Sequence, residues 1–147
     1  MIAALAALAL GARAAVAAPA PPSWQSTLDA VVPAVVSIRT DFPRSFDTVN
    51  AANSQATGFV VDAARGLVVT NRHVVGHGPS VLEAVFDNNE VVPLTVRYRD
   101  PVHDFAIAQF DPAALRFMEP VALPLCADCA AVGLPMFASG VRVSSDL

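Results

Sequence analysis

The sequence is short of cysteine, of basic residues and of long apolar runs, and each shortage closes off a class of protein. Cys126 and Cys129 are the only cysteines in 147 residues. Two cannot supply the framework of bridges on which small disulfide-rich domains depend. Only nine Lys and Arg residues stand against thirteen acids, a net charge of -4, and the nine are scattered. Nucleic-acid binding needs a clustered basic face, so none is expected. The longest apolar run, residues 2–12, is interrupted by Arg13. A bilayer needs about twenty such residues, so no membrane span is expected. No internal repeat or coiled-coil heptad is visible.

What is present falls into three stretches. Residues 1–22 are alanine-rich and close on the extended spacer Ala18-Pro19-Ala20-Pro21-Pro22, which marks a domain boundary. The run 2–12 has the length of a signal-peptide core, and Ala15-Val16-Ala17 offers small residues for cleavage, but a basic n-region is missing. The lack of acids before Asp29 suits a transit peptide equally, and a plain extension fits as well. Residues 23–134 read as one folded domain, and residues 135–147 as a tail.

Within the domain, Ser23 is placed to cap a short helix. Trp24, Leu28, Val31 and Val32 fall on one helical face, and Pro33 stops it. Trp24 is expected to pack on the barrel that follows. Strands are then expected over residues 35–40, 57–62, 67–70, 81–86, 91–98 and 105–110, rich in β-branched and aromatic residues. Residues 41–55 read as a long loop, anchored by Phe42 and Phe46. Gly58 implies a bulge or a close backbone approach. Gly66 supplies the permissive backbone of a turn. Pro93 demotes the start of its strand to an edge or a bulge. Six short strands with turns between them predict an all-β fold, a small barrel. Residues 112–132 either cover that barrel or link to a second one.

Cys126 and Cys129 form a C-x-x-C, half of a zinc site, for which His77 is a conceivable third ligand with no fourth in view. A redox pair belongs beside a βαβ pattern, which is absent here. The pair is therefore expected to be two ordinary thiols, and His77, between glycines, a solvated loop residue.

His73 follows the apolar strand Gly66-Leu67-Val68-Val69 and so sits on a rim. A partly solvated imidazole there can exchange protons near neutrality. Asp104 opens the strand of Phe105-Ala106-Ile107. A rim histidine used as a base needs such a carboxylate to fix its tautomer and stabilise the imidazolium. The residues alone also fit a surface histidine and a strand-capping aspartate.

Three segments carry a resemblance. Ala56-Thr57-Gly58-Phe59-Val60-Val61-Asp62, then Gly66-Leu67-Val68-Val69-Thr70-Asn71-Arg72-His73-Val74-Val75, then Asp100-Pro101-Val102-His103-Asp104-Phe105-Ala106 resemble the HtrA/Deg serine proteases, which are trypsin-like. Val32-Pro33-Ala34-Val35-Val36-Ser37-Ile38-Arg39-Thr40 and Tyr98-Arg99-Asp100-Pro101 resemble the large nuclear or plastid branch found in fungi and plants. The likeness runs from about Trp24 to about Leu134.

The resemblance implies a six-stranded trypsin-like barrel, the first of two, in a serine endopeptidase with a Ser-His-Asp triad. His73 matches the general base and Asp104 the orienting acid. The serine, the oxyanion hole and the specificity pocket belong to the second barrel, and no Gly-Asn-Asp-Ser-Gly-type segment occurs in these residues. Ser139-Gly140 lacks the preceding Gly-Asn-Asp, so Ser139 reads as a tail serine. An amino-terminal half inactive on its own is therefore expected, with a polypeptide substrate once completed. No cofactor or metal is implied, and the branch suggests the nucleus or the chloroplast. Two non-enzymatic readings stand beside it: a peptide-binding module, and a partner docking on full-length relatives.

Overall fold

A computed structural model describes residues 24–45, 52–133 and 140. The expectations for residues 1–22, Ser23, Phe46 and Ser139 lie outside the described residues. The first helix, α1, is Trp24–Val31, followed by a 3₁₀ turn over Val32–Ala34. Pro33 within that turn has no N–H to extend the α-helix. Trp24, Leu28 and Val31 line an apolar groove with Val35, Phe59 and Leu123. The packing is partial: Trp24 keeps 52% of its surface exposed, and no α1 residue is fully buried.

Six strands follow: β1 (Val35–Phe42), β2 (Ala52–Asp62), β3 (Leu67–Thr70), β4 (Val81–Val85), β5 (Val91–Arg99) and β6 (Ala106–Gln109). They close into an antiparallel barrel in the order β1-β2-β3-β6-β5-β4, with β4 returning to β1. One turn of helix, α2 (Arg72–Val75), interrupts the chain between β3 and β4. Among the described residues no helix is long and apolar enough to cross a membrane.

One sequence expectation needs correction here. The loop expected over residues 41–55 is shorter, because β1 runs on to Phe42 and β2 begins at Ala52. Arg39 pairs with Gln55, Thr40 with Ser54 and Asp41 with Asn53. Polar side chains on the outer face concealed an alternation that continues to the end of β1: Ile38, Thr40 and Phe42 are buried while Arg39 and Asp41 are exposed. Pro93 marks a local edge, as expected, and not a bulge. It lies opposite Glu83 of β4, and pairing with β6 begins only at Thr95, so no β6 ladder bond is asked of it. The bulges fall instead between Val60 and Asp62 and between Val96 and Tyr98, where an extra residue helps each strand bend around the barrel.

The barrel is filled by alternate side chains. Val36 and Ile38 of β1, Val60 of β2, Val68 of β3, Leu82 and Ala84 of β4, Val92 and Leu94 of β5, and Ala106 and Ala108 of β6 form one cluster. Phe86 and Phe110 meet edge to face at 5.2 Å. Gly58 marks a close approach: a Cβ there would lie 2.6 Å from Ile38 Cδ1 and 2.9 Å from Val68 Cγ1. Gly66 turns with φ +66, and a Cβ would meet the Phe110 carbonyl oxygen at 2.2 Å. Both positions therefore require glycine.

After β6 the chain covers the barrel. Asp111 caps a 3₁₀ turn over Pro112–Ala114 by accepting the Ala113 N–H. Leu115, Met118 and Ala122 pack on the core, and the Leu123 N–H donates to the Val60 carbonyl.

Cys126 and Cys129 are joined in a disulfide, which corrects the expectation of two separate thiols. A 3₁₀ turn over Ala127–Cys129 brings their Cα atoms to 5.3 Å, within bridging range. Spacing alone does not reveal that turn.

Candidate active site

At the end of β3, Thr70 is buried and its hydroxyl donates to the Thr57 carbonyl. Asn71 is extended, and the chain then makes the single turn of α2. Val74 and Val75 point into the core. Four bonds fix the turn from beneath and behind. Thr40 Oγ1 donates to the Val74 carbonyl, Ser80 Oγ to the Val75 carbonyl, Arg99 Nε to the Gly76 carbonyl, and the Gly76 N–H to the Arg72 carbonyl. His73, on the outer side of this fixed turn, has its side chain 72% exposed.

Asp104 sits on the tight loop between β5 and β6. The Asp100 N–H donates to the Phe105 carbonyl and closes the loop at its base. Within it, Asp100 Oδ1 accepts the N–H groups of Val102 and His103, and Oδ2 accepts the Tyr98 hydroxyl. These donors, with the His103 amide foremost, pull the Asp100 carboxyl down to about 2.

Barrel closure makes β3 and β6 neighbours and sets α2 against this loop. The Asp104 carboxylate then meets His73 twice. Oδ2 lies 2.6 Å from His73 Nδ1, and Oδ1 accepts the His73 backbone N–H at 2.9 Å. The second bond is an N-cap supplied from the neighbouring loop, 31 positions on in sequence. Helix-starting N–H groups usually find a side-chain acceptor on the cap residue itself, but Asn71 makes no such bond. One carboxylate thus fixes both the turn and the ring. His73's amide first, and its ring second, hold the Asp104 carboxyl below the usual carboxylate range; the Arg72 guanidinium contributes least.

A carboxylate only accepts hydrogen bonds, so the proton shared with Asp104 resides on Nδ1. Nε2 then presents its lone pair outward and has no partner among the described residues. An imidazole held in that tautomer can take a proton at Nε2 and deliver it again, with the imidazolium stabilised by the carboxylate behind it.

The other candidates are placed elsewhere. His103 turns toward Asp100, its Nδ1 at 3.2 Å from Oδ1, and leaves the His73–Asp104 pair alone. His77 is exposed beyond α2. The disulfide leaves Cys126 and Cys129 without a free thiolate for a metal. Sequence reasoning missed two residues. Asn71 Nδ2 donates to the Asp104 carbonyl at 3.1 Å, and Arg72 Nη1 donates to the carbonyls of Asp100 and Pro101 at 2.9 and 3.0 Å. Their adjacency to His73 was the only signal, and it does not specify direction.

Residues 56–146 match a family model described as trypsin-like peptidase domain. Pro-apoptotic serine protease NMA111 of Pyricularia oryzae is 56% identical over 111 residues, which are 76% of this chain and 11% of that protein. Protease Do-like 7 of Arabidopsis thaliana is 51% identical over 111 residues, 76% of this chain and 10% of that protein. The NMA111 protein of Chaetomium globosum is 56% identical over 111 residues, 76% and 11% respectively. The chain spans about a tenth of the length of these relatives.

Proposed function

Because the chain belongs to the trypsin-like peptidase family, among its HtrA/Deg serine proteases, we propose that it supplies the base and the orienting acid of a serine endopeptidase. His73 is the general base and Asp104 its orienting partner. The observation carrying this reading is the 2.6 Å contact from Asp104 Oδ2 to His73 Nδ1, with Nε2 facing outward. In the reaction a serine hydroxyl gives its proton to Nε2 as its oxygen attacks a peptide carbonyl. The imidazolium, held by Asp104, then protonates the leaving amine.

The nucleophile and the oxyanion donors are assigned to a second barrel, outside residues 1–147. Ser139 is not assigned to the triad. The 147-residue chain alone is therefore inactive, and the polypeptide substrate is acted on only when the second barrel is supplied.

The test has two arms. The chain alone should neither cleave casein nor take up a fluorophosphonate label. Fused to the serine-bearing barrel of a matched relative, it should do both. His73→Ala in the fusion should then lower kcat by about 10⁴-fold or more. Undiminished cleavage by that variant removes His73 from the role of base. A fusion that folds but takes no label points instead to a non-catalytic peptide-binding or docking module.

A further inference from the structure

We infer that Arg72 is a positioning residue: it ties the loop bearing Asp104 to the turn bearing His73 and so sets the His73 tautomer. The inference rests on the proposed roles of those two residues, but its geometry is independent of them. The loop organises itself through the Asp100 carboxylate, which gathers Val102, His103 and Tyr98. Nothing in that internal network fixes how far the loop stands from α2. Pro101 has no N–H to help.

The bridge to α2 is made at three places. Asp104 caps and orients His73, Asn71 reaches the Asp104 carbonyl, and Arg72 reaches the start of the loop. Both hydrogens of Arg72 Nη1 are used there, one for the Asp100 carbonyl and one for that of Pro101. Arg72 is half-buried, and it is the residue immediately before His73. Its backbone belongs to the turn being positioned and its charged end grips the loop. Hydrogen bonds from a charged donor are stronger than neutral ones, so this is the firmest tie besides the pair itself. Arg72 touches neither His73's ring nor any reacting atom, so it acts only through Asp104.

The consequence is chemical. With the loop held, Asp104 accepts the Nδ1 proton and Nε2 is kept bare. With the loop released, the ring loses the acceptor that selects its tautomer, and the Nε2–H form, useless as a base, gains population.

The test is a ¹⁵N-resolved NMR measurement of the neutral His73 imidazole in the 147-residue chain, at about pH 8 to 9, where histidine is uncharged. The unmodified chain should show Nδ1–H in excess. Arg72→Met keeps the aliphatic stem and removes the donors; it should lower the Nδ1–H to Nε2–H ratio by about tenfold. Arg72→Lys restores charge and donors, and should recover part of that loss. Amide signals of Val68 and Ala108, in neighbouring strands, report the barrel. An unchanged ratio in Arg72→Met overturns the inference. So does collapse of the Val68 and Ala108 signals, since Arg72 would then be a general stability contact. Neither readout uses hydrolysis, so a failure here leaves the proposed protease role standing, and the reverse.

Discussion

Asp100 and Asp104 share one short loop, and backbone N–H groups hold both carboxylates in the ionised form. The Asp100 carboxyl lies at about 2, against an ordinary value of 3.8. Asp104 is lowered from the same value, chiefly by the His73 amide. A depressed carboxylate stabilises the fold above its unfolded value, and that contribution is lost as pH falls through the folded value. The loop should therefore be intact at neutrality and open as pH falls from about 4 to about 2. In an NMR titration, the Val102 and His103 amides should move with a midpoint near 2. The His73 amide should follow Asp104 with a midpoint below 3.8. Midpoints at the ordinary value would mean that these bonds do not persist in solution.

Among the elements, the segment after β6 is anchored by one side chain just before the neighbouring strand β5. Glu90 follows Asn89, whose φ of 65 turns the chain between β4 and β5. Its Oε1 accepts the Arg116 N–H at 2.7 Å, and both its oxygens accept that of Phe117 at 3.2 Å. These donors, Arg116's first, and the Asn88 amide hold its carboxyl below the usual range. Glu90→Ala should release this anchor without touching the strand ladders. Hydrogen exchange at Arg116 and Phe117 should then accelerate by about tenfold or more, with Val68 and Ala108 unchanged. Equal exchange in the variant would show that Leu115 and Met118 hold the segment by packing alone.

For the whole molecule, closure of the barrel is what makes a site. His73 and Asp104 are 31 positions apart. They meet because β6 inserts between β3 and β5. Phe110, just after β6 and edge to face with Phe86, is 2% exposed and belongs to the core on which closure depends. Phe110→Ala should cost about 3 to 5 kcal/mol, a large share of the roughly 5 to 15 kcal/mol by which an ordinary domain is stable. Urea unfolding followed by far-UV circular dichroism measures this directly. A loss below about 1 kcal/mol would mean that the barrel refills the space without strain.

The sequence by itself determined the strands with strong alternation or dense β-branching, the turn at Gly66, the close approach at Gly58, and the two residues that form the pair. Each of these is written locally, in period, in glycine or in a motif. Tertiary structure alone decided the rest. The polar ends of β1 and β2 pair because a closed ladder satisfies backbone groups whatever the side chains' polarity, so residues 41–55 looked like loop. Cys126 and Cys129 join because a turn whose geometry no residue type announces brings them together. The same holds at the site. The sequence named His73 and Asp104, but a cap delivered from the neighbouring loop and an arginine gripping two carbonyls depend on two loops being brought side by side, which no local pattern announces.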